Sequence, residues 1–105
     1  MTTQLPIACT LDEAALRERR SGLLADVGRR VIERRETEEG FAFRFLAGDA
    51  SLLGDIARVI DLERQCCTFL RFRLTVEPGG GPVWLEVSGP AGTKEYLRGL
   101  LGIGQ

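Results

Sequence analysis

The clearest alternation of apolar and polar positions lies at residues 41–45, where Phe41, Phe43 and Phe45 are separated by Ala42 and Arg44. A period of two with aromatic side chains on one face predicts a strand whose aromatic face meets a core. Just upstream, Val31, Ile32 and Thr37 favour a partner strand over 30–37, and Glu38-Glu39-Gly40 reads as a short turn with Gly where positive φ is often needed. Before this hairpin the period changes. Leu16, Leu23, Leu24 and Val27 recur at helical spacing, with Arg17, Glu18 and Arg19 on the wet side. Thr10-Leu11-Asp12-Glu13 forms a capping box, in which each end's side chain bonds the other's backbone amide. A helix is predicted over 12–28 with Gly28 as its stop. Val31 and Ile32 would also extend its stripe to Arg35, but with Thr37 they favour the strand.

The second half repeats the plan. Asp49 or Ser51 caps a helix whose stripe is Leu52, Leu53, Ile56, Val59 and Ile60, ending near Cys67. Phe69, Phe72, Leu74 and Val76 predict a strand to about Glu77. Pro78 to Pro82 turns the chain, and Val83 to Val87 returns as a strand with Trp84 and Glu86 on its opposite face. Pro90 suits the first turn of a last helix carrying Tyr96, Leu97, Leu100 and Leu101. Each hairpin is followed by Gly and a helix, a weak internal duplication. The order helix-hairpin-helix-hairpin-helix predicts one α+β domain over 1–105, a two-layer sandwich. Its four-stranded antiparallel sheet carries about three helices on one face. Residues 7–9 could add an edge strand, and 103–105 fray.

Composition narrows the function classes. A chain of 105 residues with 44% apolar and 28% charged side chains suits one globular domain, not a disordered one. No apolar run nears the ~20 residues that cross a bilayer, so no membrane partner is expected. Met-Thr-Thr-Gln-Leu-Pro lacks the basic and apolar regions of a signal peptide, which predicts a cytoplasmic location. Net charge is −1, and the densest basic stretch, Arg29, Arg30, Arg34 and Arg35, is interleaved with Glu33, Glu36, Glu38 and Glu39. That pattern is a solvated, ion-paired surface, so no nucleic-acid partner is expected. The chain has no histidine, which excludes Ser-His-Asp and Cys-His catalysis and imidazole-ligated zinc or haem. Gly79-Gly80-Gly81, flanked by Pro78 and Pro82, reads as a hairpin turn rather than a phosphate cradle.

The cysteines carry the remaining chemistry. There are three, Cys9, Cys66 and Cys67, an odd number that argues against a secreted disulfide framework. Cys9 precedes a helix start, where amides and the macrodipole favour a thiolate. Cys66 and Cys67 lie at a helix end, where the dipole opposes one. A metal ion, or Arg64 and Arg71, would have to compensate. Glu63 shares a face with both cysteines and continues the stripe Leu53, Ile56, Ile60, Glu63, Cys67. A carboxylate on an apolar stripe is costly to bury unless it is paired, protonated or bound to a cation. Against this stands a plain packing reading: cysteine is a common small core residue, and Glu63 could pair with Arg71 or Arg73. Adjacent helical side chains diverge by ~100°, so Cys66 and Cys67 can share an ion only where the helix unwinds.

The segments Pro6-Ile7-Ala8-Cys9-Thr10-Leu11, Glu63-x-x-Cys66-Cys67-x-Phe69-x-x-Phe72 and Leu74-Thr75-Val76-Glu77-Pro78 resemble a group of small bacterial proteins over nearly the whole chain. Genes of that group often lie near MerR-type regulators and mercury or arsenic resistance functions. Thr68 stands where the group usually has Pro after the cysteine pair. The resemblance implies soft-metal biology by association and carries no activity with it.

Three function classes follow. The first is a binding protein for a thiophilic ion such as Hg, As, Cu or Zn, with Cys9, Cys66 and Cys67 as ligands and Glu63 as ligand or proton acceptor. Phe69 or Phe72 walls the pocket. An iron–sulfur cluster is a variant that would need a fourth ligand, from Glu63 or from a homodimer. The second is a thiol enzyme, for redox exchange or organomercurial cleavage, with Glu63 as acid or base. The third is an interaction module with inert cysteines.

Overall fold

A computed structural model of the chain describes residues 14–46 and 50–101. The elements are α1 (Ala14–Gly28), β1 (Val31–Glu36), β2 (Gly40–Phe45), α2 (Leu52–Cys66), β3 (Arg71–Val76), β4 (Val83–Ser88) and α3 (Thr93–Leu101). The four strands form one antiparallel sheet in the order β1-β2-β4-β3. This is the α+β architecture that the periodicity predicts. The capping box at Thr10 to Glu13, the edge strand at 7–9, the capping role of Asp49 and the frayed 103–105 lie outside the described residues.

The two hairpins meet through their second strands. Phe41, Phe43 and Phe45 of β2 stand opposite Val87, Leu85 and Val83 of β4. All six are buried, so the centre of the sheet is apolar on one face along its whole length. All three helices cover that face: Val27 from α1, Leu52, Ile56 and Val59 from α2, and Leu97 from α3 join the same cluster. Because β2 and β4 are antiparallel and each is followed by a helix, the halves are related by an approximate two-fold at the Phe43–Leu85 pair. The duplication seen in the sequence thus acquires a geometric meaning.

The opposite face is polar and aromatic. Arg35 lies 4.8 Å from the ring centre of Trp84, Arg44 is 3.5 Å from Glu33, and Arg73 is 4.0 Å from Glu86. Two ties hold helices to the frame. Arg30, just past α1, bonds Asp55 in the first turn of α2 at 2.7 Å. Lys94 and Arg98 of α3 reach Glu36 of β1 at 2.9 and 3.1 Å.

Several local expectations are corrected. Gly40 does not have positive φ; among the described residues only Gly79, Gly80 and Gly92 do. Gly40 is needed for closeness instead, since a Cβ there would stand 1.8 Å from the Val87 carbonyl oxygen. Ser51 precedes α2 but makes no side-chain capping bond, because its φ of −88° and ψ of −9° are already helical. Its hydroxyl accepts a bond from Arg30 at 3.4 Å. Leu53, which the periodicity places on the buried stripe, is 43% exposed, turned about 100° away from the core-facing Leu52. Leu74 and Val76 are also exposed because β3 is an edge strand. Phe69 precedes β3 rather than beginning it, held in a turn where the Leu70 amide bonds the Cys67 carbonyl. Pro90 lies in the turn before α3, and its carbonyl accepts from the Thr93 amide.

Candidate functional site

The end of α2 brings the sequence's candidates together. The helix ends at Cys66, and Cys67 has φ of −116° and ψ of 79°, so the chain unwinds between the two cysteines. The Cys67 amide still bonds the Glu63 carbonyl at 2.6 Å. Unwinding removes the ~100° divergence that a continued helix would impose on the two side chains. Both cysteines are fully buried, packed with Phe69.

Cys67 carries a reduced thiol, whereas Cys66 is disulfide-bonded. The remaining cysteine, Cys9, lies outside the described residues. The Cys67 Sγ is 2.8 Å from the Tyr96 hydroxyl and 3.8 Å from Glu63 Oε1. Glu63 itself is only 3% exposed. The sequence offers Arg71 or Arg73 as its counter-charge, but both belong to β3, where Arg73 approaches Glu86 on the outer, polar face of the sheet. Arg64, the other cation considered, is exposed and pairs with Asp61 at 3.2 Å. Among the described residues, a phenol and a carboxyl stand against the Cys67 sulfur.

Tyr96 is a site component that sequence reasoning misses. Periodicity puts it on the apolar side of α3, and its ring does pack edge-on against Phe69 with centroids 5.1 Å apart. A Tyr on an apolar stripe needs a partner for its hydroxyl when buried, and that is the available signal. The two aromatic pocket candidates separate: Phe69 joins the cysteines, whereas Phe72 packs with the main core.

Besides contacting the thiol, Glu63 lines a partly open cavity of about 730 Å³ between the helices and the inner face of the sheet, walled by Leu24, Phe43, Phe45, Val59, Phe72 and Leu97 with Arg29 and Arg34 also in its lining. Among the described residues no three Cys, Asp or Glu side chains are grouped as metal ligands. Elsewhere, ion pairs hold three carboxyls below their ordinary range. Asp55 is lowered chiefly by its bond from Arg30, Glu36 by Lys94, and Glu33 by Arg35.

Comparison with known proteins adds no relative: no family, no curated protein and no solved structure matches the chain.

Proposed function

We propose that this protein binds a soft, thiophilic metal or metalloid ion through Cys9, Cys66 and Cys67 in their reduced form, with Glu63 as fourth ligand or proton acceptor. The supporting observation is the fully buried Cys67 thiol, 3.8 Å from a buried carboxylate and beside Cys66 at an unwound helix end. Soft thiolates select soft ions, and a chain without histidine offers no imidazole in competition. Three sulfurs suit a trigonal ion, and Zn would take Glu63 or water as its fourth ligand. A disulfide between Cys66 and Cys9 would remove two of the three sulfurs from the set, so ion binding follows reduction. On this reading Cys9 is the oxidised partner of Cys66. The contact between α1 and α2 supports it: the Arg30–Asp55 bond ties the end of α1 to the start of α2, the arrangement of an antiparallel pair. That directs the start of α1 toward the end of α2.

The disulfide favours a second reading. A thiol next to a half-cystine in sequence is the layout for thiol–disulfide exchange, in which Cys67 would resolve a mixed disulfide formed at Cys66.

One titration separates the classes. Hg(II), As(III) and Zn(II) are added to reduced wild type and to Cys9→Ser, Cys66→Ser and Cys67→Ser. Each substitution is expected to weaken soft ions much more than hard ones. Equal affinity of Cys9→Ser and wild type for all three ions would overturn the three-sulfur site. Metal-free protein with a fast-exchanging thiol supports the enzyme reading, and inert thiols support the interaction module.

A further inference from the structure

The two edges of the sheet are built differently. β1 carries Glu33, Arg34, Arg35 and Glu36 in succession, and its pairing with β2 shifts register between Val31 and Glu33. Charge and a bulge keep an edge strand from pairing with another chain. β3, the opposite edge, pairs with β4 without a break from Arg71 to Val76 and has no proline. Its charges, Arg71 and Arg73, lie on the outer face alone. On the inner face stand Phe72, Leu74 and Val76, opposite the buried Val87, Leu85 and Val83. Their partners are covered, yet Leu74 is 37% exposed and Val76 52%. Among the described residues no strand lies beyond β3. An open ladder edge with an uncovered apolar row is a surface that takes a further strand.

We propose that β3 pairs with β3 of a second copy of the chain, antiparallel about a two-fold axis at Leu74, to give one continuous eight-stranded sheet. The charge pattern selects both partner and register. In a two-fold interface the same strand serves both sides, so the position of the axis fixes every pair. With the axis at Leu74, the two Leu74 side chains meet on the inner face, and Phe72 meets the partner's Val76 on either side of them. On the outer face Arg73 meets the partner's Thr75, and the exposed Arg71 meets the partner's exposed Glu77, twice by symmetry. Opposite charges facing across strands stabilise a sheet, and like charges destabilise it. An axis at Arg73 sets arginine against arginine, and one at Phe72 sets Arg71 against Arg73. An axis at Thr75 sets Phe72 against Pro78, where the strand has already given way to a turn.

The pairing is independent of the ion site, and its test keeps the two apart. Sedimentation equilibrium is run on the full chain with a reductant and a chelator, so that neither disulfides nor metals join the copies. Wild type at roughly 100 μM is expected at twice the chain mass of 11.6 kDa. Leu74→Lys places two ammonium groups at the axis, and Arg71→Glu sets carboxylates opposite the partner's Glu77. Each should raise the dissociation constant at least about tenfold, as should Glu77→Arg. Arg71→Glu and Glu77→Arg combined exchange the charges and should restore the dimer to within about threefold of wild type. All three side chains are exposed, so the fold is kept, which circular dichroism checks. A wild type of single-chain mass would overturn the proposal, as would a dimer that Leu74→Lys leaves intact. Single charge changes that break the dimer without rescue in the combined variant would overturn the Leu74 register.

Discussion

At the scale of single residues, two glycines give opposite expectations. Gly40 sits where a Cβ would meet the Val87 carbonyl oxygen at 1.8 Å, and strand pairing leaves that oxygen no room to retreat. Gly40→Ala should cost more than about 2 kcal/mol through a forced backbone shift. Gly54 is exposed in α2, a Cβ added there would meet nothing within 4 Å, and its permissive backbone is a burden to the helix. Gly54→Ala should stabilise by about 0.5–1 kcal/mol. Urea melts of the pair check this, and a reversed ranking would refute the register of β2 on β4. Truncating the residue at the pseudo-two-fold, Phe43→Ala, should cost about 3–5 kcal/mol as a large core deletion. A loss under about 1 kcal/mol would contradict its place in the core.

At the scale of elements, carboxylates tie the end of α1 to α2, β1 to β2 and α3 to β1, which makes stability sensitive to acid. Asp55, Glu36 and Glu33 all have lowered values, from ordinary ones of 3.8, 4.5 and 4.5. A lowered carboxyl contributes stability that is fully present above the unfolded value and is lost as pH falls through the folded one. Thermal stability should therefore hold from pH 7 down to about 5 and fall below about 4. Glu36→Gln, which removes the partner of Lys94 and Arg98, should make that fall shallower and speed amide exchange in α3 at neutral pH. A melting temperature that rises as pH drops from 5 to 3 would contradict the sign.

At the scale of the whole molecule, the disulfide at Cys66 couples redox state to stability. If Cys9 is its partner, as proposed, the closed loop of roughly 55 residues should contribute about 4 kcal/mol by limiting the unfolded chain. Denaturation with and without a reductant measures this directly. Cys9→Ser under oxidising conditions should match the reduced wild type. A Cys9→Ser protein as stable as the oxidised wild type would show that Cys66 has no such tether.

The elements and their apolar faces are legible in the chain because periodicity is local. Phe41, Phe43 and Phe45 declare a strand and its inward side without reference to any neighbour. Glu63, Cys66 and Cys67 declare a shared place on one helix in the same way. Periodicity reports which side of an element is apolar, not what will stand against it or how far the cover extends. Hence the pairing of β2 with β4, the exposure of Leu53, Leu74 and Val76, and the steric reason for Gly40 become visible only once the layers are assembled. The site divides along the same line. Its cysteines and carboxylate can be named from spacing, whereas the Tyr96 hydroxyl at Cys67 and the cavity beside Glu63 are contacts between segments far apart in the chain. Such contacts depend on packing, in which each neighbour's position follows from all the others.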